Sequence, residues 1–414
     1  RCAMTMTKQK NRRMILGALF VNAFCCGGVY AWSVFSGSLA EYRNWDYGQV
    51  TLAYSLMSLM LSFFGIAGGK ILDRFGPKKL MLAASVMWGG GWFLTGCVGQ
   101  LWQLYLVFGI MAAVGSGLAY NPSITTAVRW YPDKKGFASG LITGATGLSS
   151  LVVAPVANML LERYNVSVAF RIVGAAFLLL MFCASLLTDT PEPGWVPGGC
   201  EAGGKASNAG AANDLTWKEM FGDRRFYLIW LAFLGGCVSG LMLIGHASTI
   251  GKEVAGISSG EAALLVGIMA VANFLGRMLM GGLSDKIGRY QTILISLAAS
   301  TVGMVVLSRA KGFFIFVTAL ILLCVCFGGV LSVFPNIVSE NFGLKNMGIN
   351  YGIVFTAYGI AALIGPMTAS AVKDASGSYN MAFIIAGVFA AAAFILVYVI
   401  YCMSKKNKEI PGMD

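Results

Sequence analysis

Apolar residues in this chain come in long unbroken blocks, not in the alternation of a strand or the single stripe of a surface helix. About twelve blocks are long enough, at roughly twenty residues each, to cross a hydrocarbon layer of about 30 Å as helices. They span 14–39, 50–72, 80–99, 101–128, 136–161, 167–188, 225–251, 259–284, 291–308, 312–339, 348–372 and 380–403. The predicted architecture is all-α and integral to a membrane, with twelve transmembrane helices. One polar interval interrupts the series. Residues 189–223 open with DTPEPGWVPGG, pass through Gly, Ala, Ser and Asn, and close with DLTWKEMFGD. Turn formers dominate and apolar periodicity is lost, so the interval reads as a linker, with a short interfacial helix expected near Trp217 to Phe221. The chain then divides into a terminal segment 1–13, a six-helix bundle 14–188, the linker 189–223, a second six-helix bundle 224–403 and a tail 404–414. The first block is too long for the apolar core of a signal peptide. Tyr30 and Trp32 also stand where a cleavage site needs small residues, so this block is expected to be a membrane helix.

Composition supports the pattern. At 57% hydrophobic and 12% charged, the chain is too apolar for a soluble globular domain. Its 53 glycines suit helices that pack closely through small residues. The net charge of +12 is a matter of position. Arg12 and Arg13, Arg74, Lys78 and Lys79, Arg129, Lys134 and Lys135, Arg224 and Arg225, Lys286 and Arg289, and Lys405 all fall on one side if the helices alternate. The other side carries scattered cations such as Arg43, Arg163 and Lys311. This positive-inside bias predicts both termini in the cytoplasm of a cell whose inner membrane holds the protein. No basic face on a soluble domain is visible, so nucleic acid is not an expected partner. The ten cysteines lie mostly inside apolar blocks without paired metal spacing, and His246 is the single histidine; neither a metal nor a cofactor is expected.

One residue breaks the apolar pattern sharply. Arg277 is the only charge between Ala262 and Leu283, and a charge at the centre of a membrane helix costs roughly 2.5–3.5 kcal/mol on insertion scales. Its planar guanidinium can donate two parallel hydrogen bonds to a carboxylate. We read it as the anchor for an anion; the competing reading is a charge satisfied by backbone carbonyls. Asn273 lies one turn earlier on the same face, where its amide can orient the guanidinium, bond a substrate hydroxyl, or simply join two helices.

The two halves repeat. Gly69-Lys-Ile-Leu-Asp73-Arg74-Phe-Gly76-Pro-Lys78-Lys79 follows the second block, and Gly281-Gly-Leu-Ser-Asp285-Lys286-Ile-Gly288-Arg289 follows the eighth, an offset of about 212 residues. Asp133-Lys-Lys-Gly136 and Lys345-Asn-Met-Gly348 keep nearly that offset. Such duplication implies two halves related by an axis along the membrane normal. The first-half counterpart of Arg277 is Gly65, so the charge is not part of the repeat. The doubled G-x-x-x-D-[RK]-x-G-x-[RK] loop resembles the signature of the major facilitator superfamily. The stretch Arg129-Trp-Tyr-Pro-Asp-Lys-Lys-Gly-Phe-Ala-Ser-Gly140, Phe334-Pro335, Ser284 to Tyr290 and Asn350-Tyr-Gly352 are similar to the oxalate–formate antiporter family, near the monocarboxylate transporters.

The resemblance implies a secondary transporter, not an enzyme, working by alternating access around a central site. It implies gating roles for Asp73, Arg74, Asp285, Lys286 and Arg289, with each aspartate meeting the positive N-terminus of a neighbouring helix. It also implies substrate contacts from Tyr30 and Tyr120, which fall where the antiporters show tyrosines. Two departures matter. Monocarboxylate transporters often place an acid one turn before their arginine, where this chain has Asn273, so an internal counter-ion is absent. Oxalate antiporters carry a lysine at the place of Tyr358, so one cation remains here, and charge matching predicts a monoanion such as lactate, pyruvate or formate. Phe327 and Leu331 stand where those antiporters look Trp- and Tyr-like. The expected partners are this small carboxylate and the bilayer, in a functional monomer. Coupling is either to a proton, for which His246 is the candidate carrier, or to a counter-moving anion. Lys373 reads as an interfacial snorkelling lysine. The closest rival is an oxalate-type dicarboxylate exchanger. A non-transporting membrane sensor is more remote, since it needs a signalling module that the short linker does not supply.

Overall fold

The structure, a computed structural model, describes residues 11–191, 214–245, 259–310 and 312–409. His246 and Glu253 therefore lie outside the described residues, as does the side chain of Glu261. Twelve long helices are described: α1 (Arg12–Arg43), α2 (Tyr47–Phe75), α3 (Pro77–Thr95), α4 (Leu101–Trp130), α5 (Lys135–Arg163), α6 (Val166–Leu186), α7 (Arg224–Gly245), α8 (Ser259–Ile287), α9 (Arg289–Ser308), α10 (Phe313–Phe342), α11 (Met347–Ser376) and α12 (Asn380–Glu409). Eleven of them are long and apolar enough to cross a membrane by length and composition. The exception, α3, has 19 residues and begins with Lys78 and Lys79, which lower its average apolarity. A short helix, Trp217–Gly222, precedes α7; Thr216 and Glu219 form its capping box.

Helices α1–α6 pack as one bundle and α7–α12 as a second, with α3 against α6, α2 against α4, α9 against α12 and α8 against α10. The bundles meet chiefly along two seams, α2·α11 and α5·α8. Leu179, Val302 and Phe314 are among many large apolar side chains left exposed on the outside, a surface suited to lipid. Inside the first bundle, Phe35 stacks on Phe170 at 4.4 Å and Trp32 on Phe108 at 3.9 Å. The Trp88 indole donates to the Cys25 carbonyl at 3.0 Å. Aromatic contact and hydrogen bonding of this kind do the work in lipid, where no hydrophobic force holds helix to helix.

The sequence repeat appears as matched geometry. Gly76 ends α2 and Gly288 ends α8, each with positive φ (78° and 101°), which lets the chain reverse into the next helix in one residue. At the seams, backbones touch through glycine. A methyl group on Gly69 would overlap the Gly348 carbonyl, and one on Gly136 would overlap the Gly281 carbonyl. These two pairs occupy equivalent positions in the repeat, one on each seam. They close the face that carries most of the cations. Gly136→Val should force α5 and α8 apart there, at a cost of about 1–3 kcal/mol. The expected readout is increased thiol labelling of single cysteines placed beside residue 281; unchanged labelling would remove the seam from the account.

Candidate functional site

Between the bundles lies a cavity whose wall comes from both. From the first bundle, α1 contributes Val29 and Tyr30, α4 Tyr120 and α5 Thr146; from the second, α10 contributes Leu331 and α11 Phe355 and Tyr358. Tyr30 reaches the wall because α1 tightens into a 3₁₀ turn over Gly27–Ala31. There Gly27 lies against the backbone of Thr146 and Gly28 against the ring of Phe177. The Tyr30 and Tyr358 hydroxyls approach to 3.3 Å across the bundle boundary. Tyr358 stacks on Phe355 at 4.9 Å, and Tyr120 tilts against Phe355 at 5.5 Å. The result is an aromatic chamber with hydroxyl groups at its corners.

Arg277 stands just behind this chamber. It is 2% exposed and is the one charged residue among the described ones that is buried. Its backbone is held between the bundles' helices, with Gly140 of α5 against its carbonyl and Gly328 of α10 against its N–H. The guanidinium Nη1 donates to the Thr143 carbonyl and, at 2.7 Å, to Thr146 Oγ1. Its Nε has no hydrogen-bond partner among the described residues. Thr146 thus lines the cavity on one side and receives Arg277 on the other. The carbonyl reading of Arg277 is met in part, by Thr143. Asn273 does not meet Arg277; its Nδ2 donates to the Cys324 carbonyl at 3.2 Å, joining α8 to α10. Arg277 also acts electrostatically on Tyr120, Cys237 and Tyr351. Of these, Tyr351 was not evident from the sequence: it is fully buried in α11 two turns before Tyr358, and its hydroxyl has no partner among the described residues. Lys373, at the far end of α11, donates to the Gly377 carbonyl at 2.9 Å and lies over the Tyr379 ring, away from the chamber.

The signature aspartates close the basic face. Asp285 accepts from the Gly136 and Phe137 N–H groups, both at 2.9 Å, at the N-terminus of α5 in the other bundle. Asp73 accepts from the Ile349 N–H at 3.2 Å, at the N-terminus of α11. Each carboxylate caps unpaired helix N–H groups at the positive end of the helix dipole. Arg289 pairs with Asp285 at 2.5 Å and with Glu340 at 3.0 Å. The partner of Asp73 is not the adjacent Arg74, which is exposed beside the Phe75 ring, but Arg129 at 2.6 Å. Arg129 also donates to the carbonyls of Leu344 and Lys345, both at 3.1 Å, and so grips the other bundle. Lys286 is exposed. Beside these contacts, Asp214 accepts from the N–H groups of Leu344 and Lys345, each at 3.1 Å, fastening the end of the linker to the α10–α11 turn.

Two pseudo-symmetric bundles around a shared central chamber, fastened at one face by matched aspartate caps and their arginines, define a membrane transporter. The chain belongs to the Major Facilitator Superfamily, whose sequence model matches residues 15–260 and 247–412. It is 34% identical over 357 residues to the uncharacterised MFS-type transporter YhjX of Escherichia coli, covering 86% of this chain and 87% of that one. It is 26% identical over 396 residues to the oxalate:formate antiporter of Oxalobacter formigenes, covering 95% and 92%. With monocarboxylate transporter 3 of Rattus norvegicus it shares 27% over 413 residues, covering 96% and 81%. Among solved structures, the fold is similar to that of the transporter FucP in its outward conformation, with a TM-score of 0.71 at 15% identity, covering 93% of this chain and 98% of that one.

The ion-pair geometry separates two neighbouring arginines. Arg129→Ala should loosen the basic face by about 1–3 kcal/mol, because Asp73 and two carbonyls lose a charged donor. Arg74→Ala should leave it closed. Labelling of a cysteine placed in the α10–α11 turn distinguishes them; equal labelling in the two variants contradicts this assignment.

Proposed function

We propose that the protein carries a small monocarboxylate, such as lactate, pyruvate or formate, across the bacterial inner membrane, with both termini and the basic face in the cytoplasm. The observation that carries this reading is Arg277: buried beside the central chamber, without a carboxylate partner among the described residues. A lone guanidinium in low dielectric attracts an anion strongly, and its unpartnered Nε remains free to bond one. One buried cation balances one negative charge, which favours a monoanion over oxalate. The relatives support an anionic cargo, one being an oxalate:formate antiporter and another a monocarboxylate transporter. The Tyr30, Tyr120 and Tyr358 hydroxyls supply further donors, and the rings of Tyr358 and Phe355 limit the cargo's size. Asp73, Asp285, Arg129 and Arg289 act as the gate that opens when the substrate leaves toward the cytoplasm.

Uptake of labelled lactate, pyruvate and formate into proteoliposomes, with and without a pH gradient, tests the reading. Arg277→Ala and Arg277→Lys should each lower apparent affinity by about tenfold or more, since a bidentate fork is lost in both. Wild-type uptake in either variant contradicts the proposal. Tyr358→Lys should gain oxalate binding; if it binds no dicarboxylate, charge matching is not what sets the choice of cargo.

A further inference from the structure

The arrangement of Arg277 has a bearing on what the carrier does when empty. Its two acceptors both lie on α5, in the opposite bundle. The Thr146 hydroxyl donates its own proton to the Thr143 carbonyl at 2.7 Å, so the lone pairs of Oγ1 are turned toward the guanidinium. Two oxygens one helical turn apart therefore receive one amino group of Arg277. Gly140 and Gly144, which face Arg277 and Phe274 across the seam, bring the helix interior close enough for this. Resting on the monocarboxylate reading above, we propose that Thr143 and Thr146 stand in for the absent carboxylate, so that the empty carrier can close over Arg277 and return without cargo.

The physical basis is the cost of occlusion. Between its two open forms the carrier passes through a state sealed on both sides, with Arg277 cut off from water. A charge left there without partners costs several kcal/mol. A carrier that offers its buried charge no substitute acceptors returns only when loaded, and is an obligate exchanger. Here the acceptors are built in, and the cargo displaces them on binding. Net transport then accompanies exchange, and Thr146 is a positioning residue for the return step. Nε, without a partner among the described residues, leaves donor capacity that cargo can fill.

Proteoliposomes loaded with labelled lactate separate the two modes, with potassium and valinomycin clamping the membrane potential. Efflux into lactate-free medium reports net transport; efflux into unlabelled lactate reports exchange. The wild type should show both. Thr146→Val keeps the side-chain shape and removes Oγ1, and should lower net efflux by about tenfold relative to exchange, the size expected for one lost hydrogen bond to a charged group. Thr146→Ser should restore the wild-type ratio. The inference is overturned if the wild type only exchanges, if Thr146→Val leaves or raises the ratio, or if both modes fall by the same factor. Absence of flux in both modes from the wild type would instead sink the monocarboxylate reading itself.

Discussion

The structure is organised around one buried guanidinium. Arg277 has no carboxylate partner among the described residues, and water does not reach it at 2% exposure. A charge so placed demands acceptors, and these come from the opposite bundle. That single requirement ties the α5·α8 seam to the central chamber through Thr146, which belongs to both. It also suits glycine at position 140 of α5, where a side chain would overlap the Arg277 carbonyl and push the two helices apart. The Tyr30–Tyr358 hydroxyl contact repeats the theme, since a polar group of one bundle is partnered by the other.

Around this centre the duplication is obeyed in the backbone and broken in the charges. Gly76 and Gly288, the glycine contacts on the two seams, and the two helix-capping aspartates all match. The arginines that pair with these aspartates do not. Arg129 reaches Asp73 from the end of α4, whereas Arg289 reaches Asp285 from the start of α9. The chemistry at the centre is equally one-sided: Gly65, at the place equivalent to Arg277, has the side chain of Asn121 against it.

What was legible in the sequence follows from the range of the forces involved. The transmembrane helices are legible because lipid imposes a local rule on every residue of a span. The expensive charge at Arg277 stands out for the same reason, and the doubled signature exposes the superfamily. Interactions that depend on which helices meet are not legible. Arg129 and Asp73 are 56 positions apart, and Arg277 and Thr146 are 131 apart. Neighbours in the chain, Arg74 and Asn273, look like the obvious partners, yet they turn elsewhere. Tyr351 leaves no local trace at all, since a tyrosine in an apolar run is unremarkable until its hydroxyl is found without a partner.

The glycine contacts at the seams have a mechanical meaning as well. Interlocked side chains act like gear teeth: sliding one helix past another means disengaging each tooth into a new rotamer. Where Gly69 meets Gly348 and Gly136 meets Gly281, the surfaces are smooth backbone with nothing to disengage. Each seam is a plain bearing. What holds such a joint in place is its fastenings: the aspartate caps and arginine ties at the basic face, and deeper in the seam the bonds from Arg277 to Thr143 and Thr146.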